Sequence, residues 1–368
     1  MPPFVLTCTF SLPNSEKIYY GTLFPYWDNS NAFYVRHSFS SITIMRSTYI
    51  GGVTMTKKKK WLLASAVTTA LATIATTVFG IKLSNRLMYI KKKDDAFILE
   101  RETIAKRFDE AWYNKYKDTE LTIESPNGYT ISGVVLKPLA TKNTMIICHG
   151  VTENKINSVR FARLFEKLGY NSVIYDHRRH GNSGGKTTSF GYYEKMDLEA
   201  VVKSVRQVVG DDAVIGVHGE SMGAATTLLY AGLLEDQADF YIADCAFSDF
   251  GALVSRIAQK DLKFSTSMPL HLANFFLRMR DGYSLRDVAP LTAVKSITKP
   301  VLFIHSIPDL FIPHEMTKEM YEAKSGPKML KLFEEGGHAD SFNENPREYL
   351  QVVTKFLDEY VPAYKITE

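Results

Sequence analysis

The residues with the clearest chemical potential are Gly219-Glu220-Ser221-Met222-Gly223. They follow an apolar run at 213–217 that predicts a strand, and they precede a stretch from Ala224 that predicts a helix. A strand-to-helix turn this tight leaves no room for side chains at the two glycines, and it pushes the central serine outwards. The pattern therefore predicts that Ser221 is a nucleophile held on an elbow by Gly219 and Gly223.

A serine hydroxyl becomes a useful nucleophile only when a base removes its proton. Among nine histidines, His338 is the best candidate, because Gly336-Gly337-His338 lies between the last predicted strand and the final predicted helix. A loop there can bring an imidazole over the elbow from a neighbouring strand end. His305, at the end of another predicted strand, is the nearest rival.

The base needs a carboxylate that orients it. Asp309 follows the predicted strand 301–304, and the order Ser221, Asp309, His338 is the one in which triad partners follow an elbow serine. Asp244, at the end of the preceding predicted strand, is the alternative. We therefore expect Ser221, Asp309 and His338 to form a catalytic triad.

Attack on an acyl carbonyl creates an oxyanion, which needs two N–H donors that are already in position. We expect the backbone N–H of Met222 to supply one. The second should come from the loop His149-Gly150-Val151 after the predicted strand 144–148, and we favour the N–H of Val151 over that of Thr152. Such a mechanism passes through an acyl-enzyme and requires no metal or organic cofactor.

The elements that would position these residues alternate between strands and helices. Residues 121–125 and 129–136 predict a hairpin, and six further short apolar runs are mostly separated by helical stretches. This pattern predicts an α/β fold with a mostly parallel eight-stranded sheet and helices on both faces. Residues 247–299 are too long for an ordinary connection, so we expect a helical lid there. Its apolar residues either face the site or form the lid's own core.

The N-terminal part of the chain differs in composition. Residues 1–54 are rich in aromatic residues, Ser and Thr, and the sequence from Met55 resembles a protein start, so they form either a mis-assigned, over-extended start or a genuine, poorly ordered extension. Within 55–93, the uncharged run 61–81 lies between two lysine clusters and is long enough to cross a bilayer. A single-pass N-terminal anchor in the cell membrane fits better than a cleaved signal peptide or a buried helix, although lysines on both sides leave its orientation open.

Residues 94–120 have an amphipathic, charged pattern that predicts a solvated linker helix ahead of a hydrolytic domain at 121–368. A chain that begins near Asp94 would then be soluble and active. The 44 basic and 40 acidic residues leave a charge of +4, which lies largely in the two lysine clusters, so we expect no nucleic-acid partner. Three scattered cysteines predict neither a disulfide framework nor a zinc site.

The motifs together resemble the α/β-hydrolase superfamily, and in particular the bacterial membrane-anchored, serine-aminopeptidase-like hydrolases. The resemblance covers about residues 121–360 and rests on the elbow, His149-Gly150, the run from Asp176 to Ser183, Asp309 with Pro313, and Gly337-His338. Ser306 stands where that group usually has glycine. The resemblance implies that the 176–183 run is structural.

The function that this implies is cleavage of an ester or related acyl bond in a small-molecule substrate, and the aromatic lid suits an apolar acyl group. Two alternatives remain open. The same triad serves acyltransferases and peptidases, because other acceptors compete with water at an acyl-enzyme. A catalytically silent, membrane-tethered binding module is the second alternative, and a retained triad speaks against it.

Overall fold

An eight-stranded sheet organises the chain in the computed structural model, which describes residues 55–234, 236–261 and 267–361. The strands are β1 Lys117–Glu124, β2 Thr130–Leu136, β3 Thr144–Cys148, β4 Asn171–Tyr175, β5 Ile215–Glu220, β6 Phe240–Asp244, β7 Val301–Ser306 and β8 Lys328–Phe333. Their spatial order is β1-β2-β4-β3-β5-β6-β7-β8. The β1–β2 and β2–β4 pairs are antiparallel and the others parallel, so the predicted mostly parallel sheet is confirmed.

Helices precede the sheet and then connect its strands. They are α1 Lys57–Met88, α2 Asp95–Ile104, α3 Glu110–Tyr116, α4 Val159–Glu166, α5 Glu194–Val209, α6 Met222–Leu233, α7 Phe250–Asp261, α8 Ser267–Asp281, α9 Pro290–Ala293, α10 His314–Ala323, α11 Ser341–Glu344 and α12 Pro346–Tyr360. Single 3₁₀ turns occur at Lys155–Ser158, Leu285–Asp287 and Val294–Ser296. The chain divides into two compact units, Met1–Leu62 and Leu63–Glu368; in the first, only the start of α1 is described.

Two apolar cores cover the two faces of the sheet, because successive residues of a strand point to opposite sides. Met145 and Ile147 of β3 belong to the core that includes residues of α4 and α12. Ile146 and Cys148 of the same strand belong to the core that includes residues of α5 and α6. Each fully buried aliphatic or aromatic side chain stabilises the fold by about 1.5–3 kcal/mol. These cores hold the strand ends, and therefore the loops that follow them, in fixed positions.

The segment between β6 and β7 is helical in its described residues, as the lid prediction required. It contains α7, α8, α9 and two 3₁₀ turns. Phe247, Phe250, Leu253 and Leu270 line a cavity together with Ser221. Leu277 is fully buried, Phe275 is 57% exposed, and Phe264 lies outside the described residues. Some apolar lid residues therefore line the cavity at Ser221. Others, such as Leu277, are buried without lining it.

Residues 94–120 differ from the single solvated helix that their pattern predicts. They form α2, α3 and the beginning of β1, and the Ile98 and Glu102 side chains are each 1% exposed. Glu102 pairs with Arg101 and Arg107, at 2.6 and 2.8 Å. These buried contacts make the segment part of the domain.

Helix α1 extends beyond the predicted apolar run 61–81. Its most apolar 18-residue window has a mean hydropathy of 1.8 and is entirely exposed, so the helix is long and apolar enough to cross a membrane. Gly80, Ser84 and Met88, by contrast, are buried. The C-terminal turns of α1 therefore pack on protein, which the prediction of one anchor segment over 55–93 did not include.

Candidate active site

Ser221 occupies a strained turn between β5 and α6. Its backbone has φ 56° and ψ −115°, a region that side chains other than glycine rarely adopt. A Cβ at Gly219 would overlap the Gly223 carbonyl, and one at Gly223 would overlap the Cys148 carbonyl. The elbow therefore needs both glycines for the reason that the sequence indicated.

The structure brings Ser221, His338 and Asp309 together. Ser221 Oγ lies 2.8 Å from His338 Nε2, and His338 Nδ1 lies 2.7 Å from Asp309 Oδ2. The three residues follow β5, β7 and β8, whose carboxyl ends lie at the same edge of the parallel sheet. In this arrangement the imidazole can take the serine proton while its other nitrogen donates to the carboxylate.

Further hydrogen bonds fix the Asp309 carboxylate. Its Oδ1 accepts from the backbone N–H groups of Phe311 and Ile312, at 2.8 and 2.9 Å. Its Oδ2 also accepts from His305 Nε2 at 3.1 Å. Burial opposes ionisation, but the hydrogen bonds from His305 and His338 outweigh it and hold the pKa of Asp309 well below its ordinary value. Asp309 is thus an ionised acceptor aimed at His338.

The alternative acid, Asp244, has other partners. Its Oδ1 accepts from Ser341 Oγ at 2.9 Å, and Ser341 Oγ lies 3.0 Å from Ser306 Oγ. Burial raises the pKa of the Asp244 carboxyl to about 6, although the Ser341 hydrogen bond opposes the rise. Ser306, which replaces the usual glycine, therefore belongs to a buried polar group beside the triad.

The two residues chosen as oxyanion donors, Met222 and Val151, line the same cavity as Ser221. Met222 is the first residue of α6, so its N–H has no acceptor four residues earlier in the helix. Gly150 brings the loop after β3 close, since a Cβ there would lie 3.7 Å from the Ser221 Cβ. The Thr152 N–H donates to His180 Nε2 at 3.2 Å. That bond leaves Val151 as the better candidate on this loop.

An apolar cavity of about 350 Å³ opens on Ser221. Lid residues from Phe247 to Ala273 form part of its lining, and Met222, Val151 and Phe311 lie close to the serine. Leu83, Arg86, Leu87 and Ile90, at and just beyond the end of α1, also line it. This cavity suits a hydrocarbon chain attached to the reacting carbonyl.

A second cavity, of about 300 Å³, is lined by Ser221, His338 and a number of charged residues. Arg160 pairs with Glu220 at 2.5 Å, and Arg101 pairs with Glu153 at 2.6 Å. Burial raises the pKa of the Glu220 carboxyl to about 7, and nearby Asp244 adds to the rise, although Arg160 opposes it. The Arg160 Nε is buried without a hydrogen-bond partner. The reacting bond would therefore lie between an apolar and a charged compartment.

The 176–183 run supports the site without touching Ser221. Asp176 accepts from the Lys155 N–H at 2.8 Å and from the Asn182 N–H at 3.0 Å.

Among the described residues, no group of three or more His, Cys, Asp or Glu side chains is arranged to hold a metal ion.

Comparison with known proteins identifies the family of this chain. Residues 143–282 match the family model described as alpha/beta hydrolase fold. The chain is 46% identical to the uncharacterized protein YqkD of Bacillus subtilis (strain 168) over 302 residues, which cover 82% of this chain and 97% of that protein. The chain belongs to the α/β-hydrolase superfamily. The uncharacterized protein YfhR of Escherichia coli (strain K12) is a more distant relative, 21% identical over 55% of this chain and 64% of its own length.

Solved structures of α/β hydrolases share the fold. An esterase of Pyrococcus furiosus superposes with a TM-score of 0.56 at 24% identity, covering 67% of this chain and 92% of the esterase. An acylaminoacyl peptidase of Pyrococcus horikoshii gives a TM-score of 0.50 at 17% identity, over 73% of this chain and 44% of the peptidase. These likenesses show that the chain has the α/β-hydrolase fold.

Sequence reasoning missed three parts of this α/β-hydrolase site. His305 was weighed only as a rival base, whereas it bonds to Asp309. Arg160 and Glu220 were not singled out, although Glu220 lies inside the elbow motif and a charge between two glycines was a usable signal. Leu83 and Leu87 were assigned to the anchor region. No local pattern distinguishes a lipid-facing leucine from one that faces a cavity.

Proposed function

We propose that this protein is a serine hydrolase that cleaves carboxylic esters of apolar acyl groups through an acyl-enzyme on Ser221. The observation that carries the proposal is the continuous chain of hydrogen-bonding distances from Ser221 Oγ through His338 to Asp309, 2.8 and 2.7 Å long. No organic cofactor or metal takes part in the proposed steps.

The mechanism follows from these positions. Ser221 Oγ attacks the acyl carbonyl while His338 Nε2 takes its proton, and Asp309 stabilises the resulting imidazolium. The N–H groups of Met222 and Val151 stabilise the oxyanion, an effect worth about 3–4 kcal/mol for a single donor in a comparable site. His338 then gives the proton to the leaving alcohol. Water, activated by His338, hydrolyses the acyl-enzyme and restores Ser221.

The two cavities support a proposed orientation of the ester. The acyl chain fits the apolar cavity under α7 and α8, and the leaving alcohol fits the charged cavity beside Arg160 and Glu220. An acyl-enzyme would also react with an alcohol or amine in that charged cavity. Acyl transfer and peptide cleavage therefore remain the second candidate function. Product analysis with added glycerol or amine acceptors would detect acyl transfer, and release of the amine from a peptide p-nitroanilide would detect peptide cleavage.

The direct test is labelling of the full chain with a fluorophosphonate probe, which reacts with activated serines. We expect labelling of the wild type and none of Ser221→Ala. Ser248→Ala is a matched control, because Ser248 is also buried but lies outside the triad. Failure of the wild type to label would contradict the proposal and favour a catalytically silent binding module. Equal labelling of Ser221→Ala would contradict it by placing the activated nucleophile at another residue.

We also propose that α1 anchors the protein in the cell membrane. Leu63, Leu71 and Ile74 are 56–61% exposed, and such a row of exposed apolar side chains is costly in water. The full chain should stay with membranes through a high-salt or carbonate wash. Recovery of the intact chain in the soluble fraction would contradict the anchor.

A further inference from the structure

The last turns of α1 contribute a wall to the apolar cavity. Leu83 and Leu87 lie one helical turn apart on α1 and line the cavity together with Ser221, and Ile90 follows just beyond the helix end. All three side chains are partly buried. The helix that carries the apolar exposed stretch thus also reaches the reacting serine.

Hydrogen bonds hold this end of α1 against the hydrolase core. The Thr188 N–H donates to the Met88 carbonyl at 2.9 Å, and Arg179 Nη1 donates to the Ile90 carbonyl at 2.8 Å. Met88 is 2% exposed and belongs to the same apolar cluster as Phe247 and Phe250. The wall is therefore a fixed part of the cavity.

The same turns of α1 also contact the lid helix α8. Arg280 Nη1 donates to Ser84 Oγ at 2.7 Å and to Asn85 Oδ1 at 2.8 Å. Gly80 permits a close approach, because a Cβ there would overlap the Phe276 ring. The cavity is consequently enclosed between α1 on one side and the lid on the other.

We propose that residues 80–90 form a specificity element that selects long-chain acyl esters, with Leu83 and Leu87 setting the acyl length that reaches Ser221. This inference rests on the proposed function and names its substrate class. The cavity volume of about 350 Å³, at roughly 30 Å³ for a group the size of a water molecule, accommodates about twelve methylene groups. Short acyl groups would leave most of it empty and forgo the burial that favours binding.

The first experiment compares hydrolysis of p-nitrophenyl butyrate and p-nitrophenyl laurate by the full chain in detergent. Leu87→Trp places a larger ring in the cavity wall, so we expect the laurate-to-butyrate ratio of kcat/KM to fall at least about tenfold. Leu71→Trp is the matched control. It makes the same change on the same helix at a 61% exposed position, and the ratio should stay within about twofold of wild type. An unchanged ratio in Leu87→Trp would overturn the proposal.

The second experiment tests the wall without catalysis. A dansyl-labelled C11 fatty acid should bind full-length Ser221→Ala, and adding Leu87→Trp should raise its Kd at least about tenfold, whereas adding Leu71→Trp should not. Equal Kd values in both double variants, or no binding to Ser221→Ala, would overturn the specificity element. If the fatty acid binds as expected but the wild type neither labels nor hydrolyses esters, the proposed function fails and the cavity assignment stands.

A chain that begins near Asp94 lacks this wall. The sequence predicts that such a chain is soluble and active, and the proposed wall adds the expectation that it loses its preference for long acyl chains.

Discussion

His305 Nε2 lies 3.1 Å from Asp309 Oδ2, the same carboxylate oxygen that faces His338. The His305 Nε2 also lies 2.9 Å from the Ile312 carbonyl, so this nitrogen has two acceptors and must carry a proton. On the other side of the ring, Nδ1 lies 2.7 Å from Thr317 Oγ1. His305 is thus a positioning residue that acts on His338 through Asp309.

We predict that His305→Ala lowers kcat by about ten- to a hundredfold, because a small misplacement of Asp309 misaligns the base. KM should change less than twofold, and His305→Gln should restore part of kcat by supplying an N–H donor. His271→Ala, at an exposed histidine of α8, serves as the control. A kcat within twofold of wild type in a folded His305→Ala protein would show that Asp309 needs no such support.

Two carboxylates at neighbouring strand ends, Asp309 and Asp244, compete for the role of triad acid. Asp309→Asn should lower kcat by about 10⁴-fold, since the imidazole loses its correct tautomer and orientation. Asp244→Asn should keep most activity, because Asp244 bonds to Ser341. Both variants are measured with the same short-chain ester. A larger loss in Asp244→Asn than in Asp309→Asn would reverse the assignment.

Asp244 also predicts a pH dependence of stability. Its pKa is raised to about 6 from an ordinary value of 3.8, so the native state holds this proton more tightly than the unfolded state. The resulting stabilisation is complete below about pH 4 and is lost as the pH rises through about 6. The side chain introduced by Asp244→Asn cannot ionise, so the variant does not lose this stabilisation as the pH rises. Asp309 is present in both proteins, so its own effect on stability cancels from the comparison. Relative to wild type, the Tm of Asp244→Asn should therefore improve by about 2–5 °C between pH 4.5 and pH 8. If the Tm difference between the two proteins is the same at both pH values, the pKa of Asp244 is not strongly raised.

The elbow offers a test of local packing. Gly223→Ala should destabilise the protein by more than about 3 kcal/mol, because its Cβ would overlap the Cys148 carbonyl and backbone cannot move aside cheaply. Gly150→Ala is the matched change, since the nearest atoms to a Cβ there lie 3.7 Å away. It should cost less than about 1 kcal/mol. Urea unfolding of the two variants measures both, and similar losses would contradict this account of the turn.

The charged cavity predicts selectivity for the alcohol half of the ester. With one fatty acyl group, the glycerol ester should be cleaved with a kcat/KM at least about fivefold above that of the benzyl ester, since one retained hydrogen bond worth about 1 kcal/mol corresponds to about fivefold in rate. Arg160 and Arg101 line the compartment in which that alcohol would lie. Preference for the benzyl ester would place the alcohol elsewhere.

Local sequence patterns were sufficient to predict the elbow and the fold class. The strand–Gly–x–Ser–x–Gly–helix pattern expresses a steric need within a few residues, and the alternation of strands and helices fixes a parallel sheet. The eight strands lie where apolar runs predicted them, with β1 beginning earlier and β5 later than expected. The order of Ser221, Asp309 and His338 along the chain singled out the residues that the sheet then brings together.

Contacts between distant elements could not be predicted in this way. The Arg280–Ser84 hydrogen bond joins residues that are 196 positions apart. The sequence around neither residue predicts this contact. Likewise, Glu102 was read as part of a solvated face because charged residues usually are exposed, whereas Arg101 and Arg107 let it be buried. The burial of Gly80, Ser84 and Met88 at the C-terminal end of α1 was not predicted. An apolar pattern does not show whether a side chain packs against lipid or against protein.

The continuity of α1 has a consequence for the proposed membrane anchor. A helix of 32 residues is roughly 48 Å long. Under the proposed anchoring, a bilayer core would take up about 30 Å of that length, and only a few turns would separate the membrane from the residues of α1 that line the cavity. The catalytic domain would then stay at the membrane surface, and the rate of hydrolysis should follow the surface density of amphiphiles in the membrane rather than their concentration in bulk water.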